Sequence, residues 1–250
     1  MKFIGVDLGW RTGESGLCCL QLEQSRLRLI DITRRLTLEE ILDWIDAQVS
    51  QHEAALIAVD APTLIPNATG TRLPDRLTHQ YFGRYHAGCY PANLGRPFAE
   101  RTVEFGLRLE ARAFHHAPTL IPQQPGRYQI EVFPHPAMVH LFQLSGIIKY
   151  KKGKLAEKRA GLEKLQFYIQ TTLPNLVPAL DLTDLSLLTL PASLTGKKLK
   201  AIEDQLDSLI CAYIGAYWWY WGTDRNWVLG DRASGYIVVP APLTSADSTD

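Results

Sequence analysis

Two acidic residues each stand at the end of a short apolar run. Asp7 closes the run that begins at Lys2, and Asp60 closes the run Ala-Leu-Ile-Ala-Val-Asp at residues 55–60. A carboxylate near the carboxyl end of a strand lies where open α/β sheets bind ligands. If the two strands are parallel neighbours, Asp7 and Asp60 meet at one edge, and their mutual repulsion favours a positive partner between them. The pattern therefore predicts a site for a divalent cation.

Further acids lie on a late helix and within a strand. Asp204 and Asp207 are three positions apart, on one helical face, and Glu203 competes with Asp204 for the same role. The helix is almost uncharged beyond Asp207, and an unpaired buried charge is expensive, so this acid needs a partner. Glu131 interrupts the apolar run 128–133. We predict catalytic roles for Asp7, Asp60, Glu131 and Asp207, and metal binding by Asp7, Asp60, Asp204 and Asp207.

The donor types indicate which metal and which reaction. The four cysteines have no Cys-x-x-Cys spacing, and the seven histidines have no ligand spacing. Oxygen ligands favour Mg²⁺ or Mn²⁺ over zinc. Two such ions about 4 Å apart activate water and stabilise the leaving oxygen in phosphodiester cleavage. Carboxylates from four separate segments suit that chemistry if they converge.

Composition limits the classes of protein. The chain has 250 residues, 46% of them hydrophobic, and its 26 basic residues balance its 26 acidic residues. This balance argues against a general polyanion binder, so contact with nucleic acid needs a local basic patch. The sequence shows no signal peptide and no run near the roughly 18 apolar residues of a membrane span. We expect a cytoplasmic protein with no membrane partner.

The first sixty residues have the order β-β-β-α-β. Three strands over 2–8, 16–22 and 27–32 form a predicted antiparallel meander. Thr37 and Glu40 have the spacing of a capping box at the start of the following helix. The fourth strand, 55–60, follows a crossover and is predicted to be parallel to the first.

The remaining chain is predicted to complete one α/β domain over residues 1–240. Residues 61–127 are interpreted as a helical insertion, and 241–250 as a flexible tail. A fifth strand covers 128–133, and a final short strand covers 236–239. The predicted later helices are 74–84, 99–114, 137–144, 155–171 and 198–221, with a connection rich in leucine and proline over 173–195.

This arrangement resembles the ribonuclease-H-like superfamily of nucleases. The resemblance rests on the β-β-β-α-β opening, with Asp7 on the first strand, Asp60 on the fourth, and Asp204 and Asp207 on a late helix. The late pair is similar to that of Holliday-junction resolvases of this fold. The resemblance implies a mixed α/β sheet flanked by helices, a DNA or RNA substrate and divalent metal. Resolvases of this fold often pair, so a homodimer is one implied assembly.

More closely, the chain resembles the bacterial and archaeal domain-of-unknown-function family number four hundred twenty-nine, described as predicted ribonuclease-H-fold nucleases. This resemblance covers most of the length in order. The residues that carry it are Gly5-Val6-Asp7, Val59-Asp60-Ala61-Pro62, Glu131-Val132-Phe133-Pro134, Tyr150-Lys151 with Arg159, Glu203-Asp204-Gln205-Leu206-Asp207, and 235–240. Because a fold does not fix chemistry, the nuclease activity is an expectation.

Two other functions stay open at the level of sequence. An ATP-dependent phosphotransferase of the actin/hexokinase type also begins with a strand, an acid and a glycine, as in Asp7-Leu8-Gly9. Such proteins usually have two similar domains, whereas one strand meander is present here. The second alternative is a non-catalytic binding module on the same scaffold. It predicts that binding survives when the metal is chelated and the acids are neutralised.

Several basic and aromatic residues have both a functional and a structural interpretation. The basic stretch 149–159 suits a phosphate backbone or a solvated helix start. His135 is a candidate proton shuttle. The run 217–221 can stack on bases, although core packing is the favoured interpretation. Arginines that can clamp phosphate or lie on the surface are Arg72, Arg76, Arg84, Arg96 and Arg101.

Overall fold

A computed structural model describes residues 1–10, 12–183, 190 and 195–243. Within these residues, seven strands form one mixed sheet and two more form a hairpin. The strands are β1 (Lys2–Asp7), β2 (Ser15–Glu23), β3 (Arg26–Arg35), β4 (Ala55–Val59), β5 (His115–His116), β6 (Arg127–Glu131), β7 (Ala179–Leu180), β8 (Asn226–Asp231) and β9 (Gly235–Pro240).

The order of the large sheet is β5-β6-β4-β1-β2-β3-β7. The first three strands form the predicted antiparallel meander. β4 lies parallel beside β1, and β6 lies parallel beside β4. The ribonuclease-H-like mixed sheet predicted from the sequence is thereby confirmed. The hairpin of β8 and β9 touches the large sheet through a bridge between Val132 and Val238.

The helices flank this sheet. They are α1 (Leu38–Gln48), α2 (Leu73–Phe82), α3 (Ala99–Glu110), α4 (Pro134–Leu141), α5 (Leu155–Thr172) and α6 (Gly196–Trp221). The predicted capping box at α1 is present, with the Thr37 side chain accepting from the Glu40 backbone. Among the described residues, no helix is both long and apolar enough to span a membrane.

Two cores form because side chains alternate along the strands. In β1, Phe3 belongs to the core that includes α6, whereas Ile4 and Val6 belong to the core that includes α1 and α3. The aromatic side chains of Tyr217 and Trp218 on α6 are buried in the first core. The core interpretation of the run 217–221 is therefore confirmed for these residues.

Helix α6 lies unusually close to the sheet. A Cβ atom placed on Gly5 of β1 would be 1.9 Å from the Ser208 carbonyl oxygen, and one on Gly16 of β2 would be 1.9 Å from the Asp204 carbonyl oxygen. The helix residues Ser208, Ala212 and Ala216 are small and four positions apart, so their side chains leave room for this approach. The close contact places the acidic start of α6 beside the ends of β1 and β2.

Most differences from the predicted elements occur at their ends. The helix predicted to reach residue 114 ends at Glu110, because Ala113 has a φ of 64°, which a helix does not accommodate. The helix predicted from residue 137 starts at Pro134, since proline suits the first helical position. β3 extends to Arg35, and β6 ends at Glu131.

Other differences concern elements that the sequence does not predict. β5 has two residues, lies inside the predicted insertion 61–127, and adds an edge strand to the sheet beside β6. β8 ends in Gly-Asp, which has low strand propensity. Of the predicted connection 173–195, residues 184–189 and 191–194 lie outside the described residues. The predicted tail 241–250 lies outside them from residue 244 onward.

Candidate active site at the carboxyl edge of the sheet

Asp7 and Asp60 lie side by side at the carboxyl edge of the sheet. The parallel register pairs Val6 with Val59, so that each acid follows one member of the pair. The Asp60 backbone N–H donates to the Val6 carbonyl oxygen at 2.8 Å. Both acids line one cavity of about 500 Å³. The strand order thus brings together two carboxylates that are 53 positions apart in the sequence.

Asp207 joins them from below, on α6. Its carboxylate is fully buried. The Tyr150 hydroxyl donates to Oδ1 at 2.6 Å, and the Lys151 ammonium nitrogen lies 2.8 Å from Oδ2. The same ammonium acts electrostatically on Asp7 and Asp60. One lysine therefore faces three carboxylates.

Asp7 and Asp60 resist ionisation. Burial is the main cause that raises the pKa of Asp7 well above its usual range and that of Asp60 to about 7. The charge of Asp207 raises both pKa values further, whereas Lys151 lowers them. For Lys151, burial lowers the pKa, but the three acids raise it more, so the ammonium stays protonated. When all three acids ionise, one ammonium leaves two negative charges unbalanced.

Glu131 lines the same cavity but has its own cation. Its two carboxylate oxygens accept from the Arg72 guanidinium at 2.7 and 2.8 Å. Arg72 also donates to Asp75 at 2.8 Å and to the Leu64 carbonyl oxygen at 3.0 Å. Bidentate hydrogen bonds to both oxygens are the geometry of an ionised carboxylate. Arg72 is consequently buried in an ion-paired cluster and does not lie on the surface.

Asp204 lies in a separate cluster at the start of α6. It forms ion pairs with Arg34 of β3 at 2.9 Å and with Lys200 at 2.8 Å. Lys200 also pairs with Glu203 at 2.6 Å. Asp204 is buried, and its charge reaches Asp7. Two cations, which it shares with Glu14 and Glu203, therefore offset its charge without a metal ion.

His135 lies at the start of α4 and lines the cavity. Burial, followed by the charge of Lys151, lowers its pKa to about 4, so the imidazole is neutral near pH 7. Among the described residues its Nδ1 has no hydrogen-bond partner. The Nδ1 atom itself is buried, whereas other atoms of the ring face the cavity, where a neutral imidazole can accept a proton.

Two of these carboxylates, Asp7 and Asp60, suit a divalent ion. Within the described residues, no group of three or more His, Cys, Asp or Glu side chains is arranged to hold a metal. Mg²⁺, however, is usually bound by one or two protein carboxylates and completes its shell with water and substrate phosphate. Asp7 and Asp60 supply two oxygen ligands at a site with surplus negative charge. The pair fits such an ion, whereas Asp204 and Asp207 already have cationic partners.

Sequence reasoning missed the roles of Tyr150 and Lys151. It grouped Lys151 with a basic stretch suited to phosphate, because most of its neighbours are lysines. The local signal is the apolar pair Ile147-Ile148, which is separated from Tyr150-Lys151 by one residue. Because Ile148 is buried, the chain here packs against the interior, and the Lys151 side chain reaches the buried Asp207.

The fold and this acidic edge define a ribonuclease-H-like α/β protein with a carboxylate centre. The chain belongs to the family described as "Protein of unknown function (DUF429)", whose model matches residues 5–230. A solved structure described as "Thermus thermophilus RuvC structure" is 12% identical, with a TM-score of 0.33, over 86% of this chain and 98% of that one. No curated protein matches the chain.

Proposed function

We propose that this protein is a metal-dependent phosphodiesterase that hydrolyses nucleic acid. The observation that carries the proposal is the pair Asp7 and Asp60, which lie together at the carboxyl edge, where their ionisation beside Asp207 produces more negative charge than Lys151 balances. A divalent cation removes this surplus. The adjoining cavity gives a phosphate group access to both acids.

In this proposal, Asp7 and Asp60 hold Mg²⁺ or Mn²⁺, which supplies Lewis-acid stabilisation of the phosphoryl group when bound. Lys151 and Tyr150 keep Asp207 in place beneath the pair, at 2.8 and 2.6 Å. If the Lys151 side chain turned away from Asp207, this carboxylate would supply a further oxygen ligand to the ion. Glu131 is a positioning residue, since Arg72 engages both of its oxygens.

His135 is the proposed proton acceptor for the attacking water. It lines the cavity with Asp7 and Asp60, and its imidazole is neutral near pH 7 because burial lowers its pKa to about 4. A positioned neutral imidazole is the most common general base.

The phosphotransferase alternative has less support. It needs free backbone N–H groups for phosphate in the turn after β1, but the Gly9 N–H donates to the Ser15 hydroxyl at 3.0 Å. The binding-module alternative differs from the proposal only in the absence of cleavage. The experiment below separates it from the phosphodiesterase.

The test is cleavage by purified protein of single-stranded, duplex and branched DNA and of RNA, with Mg²⁺, Mn²⁺ or EDTA. We expect cleavage only with metal, and Asp7→Asn should reduce it by at least about 100-fold, the range seen when a group that stabilises the transition state is removed. Asp43→Asn is the matched control, because Asp43 is exposed on α1. Equal activity of Asp7→Asn and wild type contradicts the proposal, as does the absence of cleavage on every substrate.

A further inference from the structure

Two exposed aromatic side chains stand at the cavity beside Asp7. Trp10 is 46% exposed and Tyr90 is 71% exposed, and both line the cavity. Their ring centroids are 5.9 Å apart, with the planes at 83°. Trp10 also packs on the largely buried Phe98 at 4.7 Å. Aromatic side chains have a large apolar surface, which is usually buried on folding. The exposed rings of Trp10 and Tyr90 are therefore available to a ligand.

The two rings come from different parts of the chain. Trp10 follows Asp7 by three residues, in the segment after β1, whereas Tyr90 lies between α2 and α3. The contact with Phe98, just before α3, fixes the Trp10 ring against the insertion. The fold therefore brings two aromatic rings from distant segments into the cavity that Asp7 also lines.

Basic residues line the same cavity. Lys149 and Lys152 are exposed, and neither forms an ion pair with an acid in the described part of the chain. Free lysines near a carboxylate centre can bind phosphate oxygens. A ligand that matches the whole cavity thus has a flat ring system at one end and a phosphate near the acids.

The size of the cavity limits the form of this ligand. A volume of about 500 Å³ is typical of a site for a small molecule or one nucleotide. A base inside a duplex is stacked and paired, and reaches such a pocket only if it is extruded from the helix at a cost of a few kcal/mol. An unpaired base enters without that cost.

We propose that the cavity binds an unpaired nucleotide of a single strand, with its base on Trp10 and Tyr90 and its phosphate on Lys149 and Lys152. This inference rests on the proposed phosphodiesterase function and specifies its substrate class. Stacking on an aromatic side chain tolerates every base, so the site selects strandedness and not sequence.

The experiment measures binding without catalysis. Fluorescence anisotropy of a labelled oligothymidylate is recorded with the full chain in EDTA, at about 0.15 M ionic strength. Unlabelled competitors are the same single strand, its duplex with oligoadenylate, and thymidine monophosphate. The variants are Trp10→Ala, Tyr90→Ala and the conservative Trp10→Phe. Tyr81→Ala is the control, since Tyr81 is 43% exposed and lies outside this cavity.

We expect the single strand to compete better than the duplex. Trp10→Ala and Tyr90→Ala should each weaken binding about 10-fold, the effect of losing one base–aromatic stack, while Trp10→Phe and Tyr81→Ala stay near wild type. Equal competition by duplex, or unchanged binding by both alanine variants, overturns the proposal. Competition by the free mononucleotide as strong as by the strand overturns the assignment to a strand.

Two features keep the test decisive. If Trp10→Ala does not fold, Tyr90→Ala and the double variant Lys149→Gln/Lys152→Gln still report, the latter by a shallower dependence of binding on salt. The binding measurement is made in EDTA and therefore without metal. If both alanine variants bind as tightly as wild type, the base site is refuted, whereas the proposed metal-dependent cleavage is judged only by the cleavage experiment. Conversely, failure of cleavage leaves the binding result unaffected.

Discussion

Lys151 counteracts the burial that keeps the acids at this edge from ionising. It lies 2.8 Å from Asp207 and lowers the pKa of Asp7 and Asp60. One ammonium does not compensate three carboxylates in a partly desolvated site. The edge therefore destabilises the metal-free protein when all of these acids ionise, as expected of a site arranged for a ligand and not for stability.

Asp60→Asn is expected to stabilise the metal-free protein at pH 8 by about 1–2 kcal/mol, allowing for partial exposure of the side chain. Burial raises the folded-state pKa of Asp60 to about 7, above an unfolded value near 3.9. The folded state then binds the proton more tightly, so wild-type stability falls as pH rises from about 4 to about 7. The advantage of Asp60→Asn at pH 5 should be about a third of its value at pH 8, because pH 5 lies about one unit above the unfolded pKa and the whole interval is about three units.

Urea denaturation in EDTA at these two pH values measures this difference. Asp43→Asn, at an exposed position on α1, should show no such pH-dependent gain. Added Mn²⁺ should stabilise the wild type and have little effect on Asp60→Asn. A variant that is less stable than wild type at pH 8 in EDTA contradicts this account of the edge.

At the scale of elements, the packing of α6 on β1 and β2 positions the acids. Gly5 and Gly16 have no side chains, so the helix backbone lies directly against the sheet. This contact brings Asp207 beneath Asp7 and places Asp204 next to Arg34 of β3. A helix held farther away by larger side chains would separate these charges.

Gly5→Ala is expected to lower the free energy of unfolding by about 3 kcal/mol, the upper range for overpacking a core. The added Cβ would lie 1.9 Å from the Ser208 carbonyl oxygen and 2.4 Å from the Ala212 nitrogen, and backbone atoms cannot move aside cheaply. Gly13→Ala is the matched control, because no atom lies within 4 Å of its added Cβ. Urea denaturation compares both variants with wild type, and similar stabilities would show that α6 can shift.

At the scale of the whole molecule, Arg72 connects the insertion to the sheet. Its guanidinium joins Asp75 at the start of α2 to Glu131 at the end of β6, and it also donates to the Leu64 carbonyl oxygen. Burial lowers the pKa of Arg72, but Glu131 and Asp75 raise it more, so it remains a cation. This buried cluster fixes one wall of the cavity.

Arg72→Met is expected to destabilise the protein by about 3–5 kcal/mol, because it leaves Glu131 and Asp75 as buried carboxylates without a cation. The double variant Arg72→Met/Glu131→Gln should recover part of this loss, since it removes one of the two stranded charges. Thermal and urea denaturation of the two variants measure the difference. If Arg72→Met alone is as stable as wild type, the cluster does not hold the insertion in place.

Local patterns in the sequence were sufficient for the central fold. Apolar runs of a few residues predict the strands β1 to β4. The capping box at Thr37 predicts the start of α1, and helical spacing of apolar residues predicts α6. The ends of elements were less predictable. A left-handed residue such as Ala113 or a first-turn proline such as Pro134 changes a boundary without altering the apolar pattern.

By itself, the sequence determined that Asp7 and Asp60 each stand at the end of an apolar strand and that a crossover separates the two strands, because strand ends and crossovers follow from short-range periodicity. Only the tertiary structure decided which cation faces each acid. Glu131 pairs with Arg72 and Asp207 with Lys151, partners 59 and 56 positions away. The same holds for Trp10 and Tyr90 at the cavity. Coulombic and stacking contacts depend on distance in space, which no local pattern encodes.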